Sequence, residues 1–262
     1  MAPLFQQPFM SGGFPSMNRG VPIDDTSLKA YWKCNQSSGN ITNDSISAVT
    51  LGSGADGQVT GATHVPSGGS SPFGYELAFD GVNDKLVYGS SLSQFIFMHS
   101  TTMKFTLNFW MKSNSLTPRQ QIFATMDDST STDIGVSIYH ETDGSLWFVY
   151  DNGVSGQQQG GGSSAGLVPD TTNWYMYSVS VDYSLGSNNF KFYRNASLVS
   201  QVNKGIYTPS NSNHTNAGQT GERPDNTSLD LNARISEVSL WSDTLTTRLD
   251  ELYNSGSGRA IY

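Results

Sequence analysis

Along KFTLNFWMKS, Phe105, Leu107, Phe109 and Met111 alternate with Thr106, Asn108, Trp110 and Lys112. That two-residue period places one set on each face of a strand. Similar stretches recur at short intervals: LKAYWKCN, YELAFD and KLVYG around Asp80-Gly81 and Asn83-Asp84, DIGVSIYH, SLWFVYD, WYMYSVSVDY, NFKFYRN and SLVSQV. Glu141-Thr142-Asp143-Gly144 and Arg194-Asn195-Ala196-Ser197 carry the residues of tight turns, so each predicts a hairpin. Regular strands joined this way indicate an antiparallel sandwich.

Two stretches break the rhythm. Residues 153–166 and 208–228 are poor in apolar side chains and rich in turn formers, and read as long loops that add little core; GQQQGGG reads as a flexible linker. The chain closes differently again. Ile235, Val238, Leu240 and Trp241 mark an apolar strand, after which Leu245, Leu249, Leu252 and Tyr253 recur at helical spacing. Asp243, Thr244 or Thr246 is available as N-cap, and Asn254 or Gly256 to stop a short helix on the rim of the sandwich.

Composition sharpens this picture. Charged residues make up 14% of the 262-residue chain, while thirteen Phe, twelve Tyr and five Trp supply large apolar bodies for a core. The net charge of −8, with Lys and Arg scattered, argues against a nucleic-acid partner. No apolar run is long enough to span a bilayer. Cys34 is the single cysteine, which excludes an intrachain disulfide and a thiolate metal cage. Nothing after residue 28 marks a second domain, so the division is an arm over 1–24 and one sandwich over 25–262.

The closing strand, the LW pair, the small-residue turn and the ELYNSG ending resemble the carboxyl end of laminin G-like domains of the concanavalin A-like lectin/glucanase superfamily. LAFDGVNDKLVYG, KFTLNFWMKS and WYMYSVSVDY with NFKFYRNASLV resemble that family's earlier strands, in order, across most of residues 28–258. The resemblance implies a jelly-roll sandwich of two curved antiparallel sheets; with the short C-terminal helix and the extended N-terminal arm that the residues predict, the fold class is all-β. It also implies a calcium ion, with Asp80 and Asp84 at acidic positions of the early strands and Glu237 in the closing strand. Where the family often reads Ile-Asp-Glu-Val, this chain has Ile235-Ser236-Glu237-Val238; the alternative reading is turn-capping aspartates and a solvent-facing glutamate.

Catalysis has little to stand on. Glucanases of the superfamily present acids at alternate strand positions, and the nearest match, Glu141 and Asp143 in HETDGS, reads better as a hairpin turn. The four histidines lie far apart, and no catalytic residue is expected. Trp110, Trp147 and Tyr139 are candidates for stacking on sugar rings, although aromatics on alternating strands more often fill cores, so no glycan site is fixed.

Residues 1–24 hold Phe5, Phe9, Met10, Phe14 and Met17 among Pro and Gly, with neither period. An apolar, nearly uncharged arm suits docking to another protein or a homo-oligomer. The opening MAPLFQQPFM lacks a basic n-region, so no export is expected. Together these features point to a non-enzymatic virion structural or decoration protein of the tailed-bacteriophage type, made in the host cytoplasm. It would be anchored by its arm to a capsid or other virion protein and turn a lectin-like face towards host glycans. The alternative is a free carbohydrate-binding lectin or adhesin.

Overall fold

The computed structural model describes residues 26–41, 51, 55–67, 73–89, 91–127, 132–224 and 229–258. Fifteen strands form among them: β1 (Leu28–Trp32), β2 (Gly57–Thr60), β3 (Thr63–Pro66), β4 (Tyr75–Asp80), β5 (Lys85–Tyr88), β6 (Lys104–Ser113), β7 (Gln120–Ala124), β8 (Ile134–His140), β9 (Leu146–Asn152), β10 (Gln159–Gly162), β11 (Tyr175–Asp182), β12 (Phe190–Arg194), β13 (Ser197–Val202), β14 (Gly218–Thr220) and β15 (Asn232–Trp241). A 3₁₀ turn, Ile96–Met98, precedes β6, and one short helix, α1 (Leu249–Tyr253), follows β15.

The strands make two antiparallel sheets. The first runs β13-β12-β11-β6-β15-β4-β3 with β1 also on β15, and the second β10-β9-β8-β7-β14-β5-β2. Both expected hairpins form: β8 returns as β9, and β12 returns as β13 with Asn195 and Ala196 at positive φ. The turn at residues 81–84 does something else. It carries the chain from β4 in the first sheet to β5 in the second, so these neighbours in sequence do not pair.

Alternation sets the core. Phe105, Leu107, Phe109 and Met111 point between the sheets and meet Ile122, Phe123, Ile138, Phe148, Val179 and Phe190. Phe148 lies edge-on to Phe105 at 5.6 Å and to Phe190 at 5.0 Å. Each such side chain contributes roughly 1.5–3 kcal/mol by leaving water. Cys34 is sealed in the same core, where burial pushes its thiol up to about 12, as an inert apolar filler.

The other face of the first sheet is also covered. Trp110, Met176, Tyr193, Trp241 and Tyr31 pack under Leu245, Leu249 and Leu252 of the closing segment. The helix therefore lies on a sheet face and not on the rim. It starts at Leu249, after Arg248, so none of Asp243, Thr244 and Thr246 caps it; Asn254 ends it in the left-handed conformation. Asp243 instead pairs with Lys104 at 2.6 Å and accepts the Thr244 N–H at 2.7 Å.

Both stretches read as loops contain strands. β10 pairs with β9 through Gln159–Gly162, and β14 lies between β7 and β5. Strand pairing uses backbone groups that every non-proline residue carries, so low apolar content does not prevent it. His214, Gly218, Gln219 and Thr220 are buried, against the expectation of little core there.

Candidate functional site

β15 is long enough to serve two partners on one edge. Residues 232–235 pair with β4 and residues 238–241 with β1, while β6 runs along the other edge. A bulge between Ser236 and Ser239 marks the change of partner, and within it Glu237 takes φ +54°. The Glu237 N–H donates to Lys33 O at 3.1 Å, and its carboxylate accepts the Tyr31 hydroxyl. Burial raises the Glu237 carboxyl well above its ordinary range. Glu237 is thus neither solvent-facing nor a rim ligand.

Asp80 and Asp84 lie elsewhere. Asp80 is opposite Asn232, and Glu237 is five residues further along β15, roughly 16 Å at the strand rise. Asp84 Oδ2 accepts the Asp80 N–H at 2.8 Å, Asp80 Oδ1 accepts the Val82 N–H at 2.8 Å, and Asp230 Oδ1 accepts the Asn83 N–H at 3.3 Å. These acids tie the crossover turn to the start of β15. Burial raises the Asp84 carboxyl, opposed by its backbone hydrogen bond and reinforced by Asp80 and Asp230. Calcium needs six to eight oxygens around one point. Asp80, Asp84 and Glu237 do not converge, and among the described residues no group of three His, Cys, Asp or Glu is placed to hold a metal. The residues do not fit the ion that the resemblance implies.

The two acids of the β8–β9 turn have separate partners. Glu141 forms an ion pair with Arg119, and Asp143 Oδ1 accepts the Ser145 N–H at 2.9 Å. Hydrogen bonding to Ser145 holds the Asp143 carboxyl low.

Of the three aromatic candidates, Trp110 is 3% exposed, stacked on Tyr253 at 5.9 Å and edge-on to Phe73 at 5.4 Å. It is a packing residue and no sugar can reach it. Tyr139 and Trp147 are different. They are cross-strand partners in β8 and β9, turned away from the main core into a small cluster with Met126 and Val149. Their rings are parallel within 3° at 6.4 Å, and the Arg119 guanidinium lies 4.7 Å over Tyr139. Tyr139 is buried, while Trp147 is half-exposed and fixed by its Nε1–H donating to Ser145 Oγ at 3.2 Å.

Gly162 of β10 explains how the indole lies there. A Cβ on Gly162 would stand 2.5 Å from Trp147 Cε2, so only bare backbone allows the ring to rest against the edge strand. Arg119, Gly162 and the pairing that unites them give no periodic signal. A cleft of about 340 Å³ lies at the same end of the sandwich, lined by Asp80, Gly81, Thr117, Pro118, Asp230 and Asn232 among others. Gln120 links the two: it lines the cleft, pairs with His140 and accepts the Asn232 N–H at 2.8 Å. Phe5, Phe9, Met10, Phe14 and Met17 of the arm lie outside the described residues.

Comparison with curated proteins finds no match. Among solved structures the chain is similar to the receptor-binding domain of botulinum neurotoxin D, at 14% identity and TM-score 0.60, covering 88% of this chain and 53% of that one. The binding domain of botulinum neurotoxin DC in complex with SialylT matches at 16% identity and TM-score 0.58, over 88% and 52% of the two chains. A botulinum neurotoxin type C structure, described as entering cells through interaction with two ganglioside molecules, matches at 17% and 0.57, over 87% and 51%. The chain thus spans about half the length of these structures, and at such identities the likeness establishes the fold alone. A family model described as the concanavalin A-like lectin/glucanases superfamily matches residues 88–248, more than half of the chain, and the protein therefore belongs to that superfamily.

Proposed function

We propose that this protein is a non-enzymatic, lectin-like recognition module that binds a glycan on a shelf formed by the exposed part of Trp147, with the buried Tyr139 ring backing it. The observation that carries this reading is the partly exposed indole resting on the Gly162 backbone beside a buried, parallel tyrosine ring. Such a surface suits the apolar face of a pyranose ring, and the Arg119–Glu141 pair at its border supplies donors and acceptors for hydroxyls. Support also comes from the toxin binding domains that share the fold, one of them in complex with SialylT and another described as interacting with gangliosides. The engaged carboxylates of the β8–β9 turn support the non-enzymatic part.

A glycan array followed by titration tests the site. The wild type retains a subset of oligosaccharides, and Trp147→Ala lowers affinity for them at least tenfold while the circular dichroism spectrum is unchanged. Equal binding by the variant, or no glycan retained by the wild type, would refute the assignment.

The setting we propose is a virus particle, with the arm over residues 1–24 docking to a capsid or other virion protein, or threading between copies in a small oligomer. Phe5, Phe9, Met10, Phe14 and Met17 in a segment without a period of its own support that reading, because such side chains gain by being covered. Deleting residues 1–24 then abolishes particle binding or converts the oligomer to monomer. A truncated protein that still decorates particles and keeps its oligomeric mass would count against it.

A further inference from the structure

At the end of the sandwich away from the shelf, two histidines from distant parts of the chain meet. His99 follows the 3₁₀ turn and His214 lies in the segment between β13 and β14; both are buried, with ring centroids 6.2 Å apart and planes at 88°. His99 Nδ1 is 3.1 Å from Ser210 O, and His214 Nδ1 is hydrogen-bonded to Asn216 O. A carbonyl can only accept, so each ring carries its proton on Nδ1. His214 Nε2 in turn accepts the Phe95 N–H at 3.4 Å, which requires a free lone pair there. His99 Nε2 is buried with no hydrogen-bond partner. Both rings are thereby built for the neutral state.

We propose that His99 and His214 form an acid-released latch that holds the segment over residues 205–217 against the 3₁₀ turn. Protonating His214 on Nε2 would turn an acceptor into a donor facing the Phe95 N–H, and protonating His99 on Nε2 would place a charge where no acceptor stands. The titratable group facing each ring is the other histidine, which only adds repulsion. Among the described residues neither histidine is in an ion pair, and no carboxylate offsets the effect of burial on either ring. Burial accordingly lowers both imidazoles, His99 to about 4.

The bonds that would open with the latch join residues 205–217 to distant parts of the chain: the Tyr150 and Tyr183 hydroxyls donate to Tyr207 O at 2.7 and 3.1 Å, Asn152 Nδ2–H to Thr208 O at 2.9 Å, and Asn216 N–H to Thr125 O at 2.9 Å. His214 N–H donates to Leu92 O at 3.0 Å, and Thr215 N–H to Ile134 O at 2.7 Å. Thr101 N–H donates to Asn211 Oδ1 at 3.0 Å. A base whose pKa is depressed in the closed state keeps the latch shut above its released value, and the hold is lost as pH falls through that value. With His99 at about 4 closed and near 6.5 released, linkage gives about a twentyfold loss of closure between pH 7 and 5 from this ring alone.

Hydrogen exchange of the full chain, corrected for intrinsic rates, tests this. Protection of peptides from residues 205–217 should fall about twentyfold or more between pH 7 and 5, while peptides from β6 and β11 hold theirs. His99→Gln keeps a donor for Ser210 O without titrating, and should shrink the fall; adding His214→Gln should remove it. Protection in the wild type that is equal at the two pH values would overturn the latch. So would a fall in His99→Gln as large as in the wild type, a result that can be read even if the double variant does not fold.

Discussion

Glu237 concentrates several costs in one residue. It takes a left-handed backbone inside a bulge, and its side chain is buried against Tyr31 with its carboxyl raised by that burial. In the unfolded chain this acid ionises near its ordinary value, whereas burial disfavours its charged form in the folded protein, so stability is lost as pH rises above the unfolded value towards the folded one. Glu237→Gln keeps the acceptor for Tyr31 without the charge. It should therefore raise the unfolding free energy at pH 7 and raise it much less at pH 4, because the cost of burying this acid is felt only above the pH at which the unfolded chain ionises it. Denaturant melts of the two proteins at both pH values check this; a variant less stable at pH 7 by the same margin as at pH 4 would contradict it.

Trp110 and Trp147 show how two tryptophans on neighbouring sheets take opposite roles. Trp110 sits between Phe73 and Tyr253 beneath the closing segment. Removing it leaves a cavity, so Trp110→Ala should cost about 3–5 kcal/mol. Trp147 is half-exposed, and its truncation should cost clearly less while removing the shelf. Comparison of the two melting midpoints decides the matter.

At the level of elements, the edge strand β10 is what turns an aromatic pair into a shelf. Gly162→Ala puts a methyl group where the indole lies, so the ring must shift; the fold, which does not depend on this edge, should persist. The expected result is weakened glycan binding with an unchanged oligomeric mass and a melting midpoint lowered by only a few degrees. A fully binding Gly162→Ala would show that the ring's position is not what matters.

This same strand shows where the sequence stops being legible. β6, β8, β11, β12 and β15 announce themselves by alternating apolar residues and β9 and β13 by apolar stretches beside turn residues, from which both hairpins follow. β10 and β14 do not, because a glycine triplet and Gly-Gln-Thr carry no period and are held by backbone pairing to partners far along the chain. The helix was readable as an element but not in its place: nothing in the spacing of Leu245, Leu249 and Leu252 says that they cover Trp110 and not the rim. The site was half legible. Trp147 and Tyr139 stand out as aromatics, yet sequence alone ranks them equally with Trp110, and only the sheet decides which ring reaches solvent.

For the whole molecule, two sheets, a covered outer face and a pH-sensitive end leave the shelf and the neighbouring cleft as the end of the sandwich open for recognition. Asp80, Asp84 and Glu237 do not share a calcium site, because Asp80 and Asp84 tie a turn while Glu237 is buried about 16 Å away along the strand. An ion bound only to the folded state would stabilise it by mass action. Melting curves with and without chelator should thus superimpose, and a midpoint that falls on chelation would contradict the reading. The five tryptophan indoles report directly on where a glycan sits. In a protein with labelled indole nitrogens, titrated with an oligosaccharide retained on the array, the Trp147 resonance should move in a saturable way while those of Trp32, Trp110 and Trp241 stay fixed. Saturable movement of another indole with Trp147 unmoved would contradict the account.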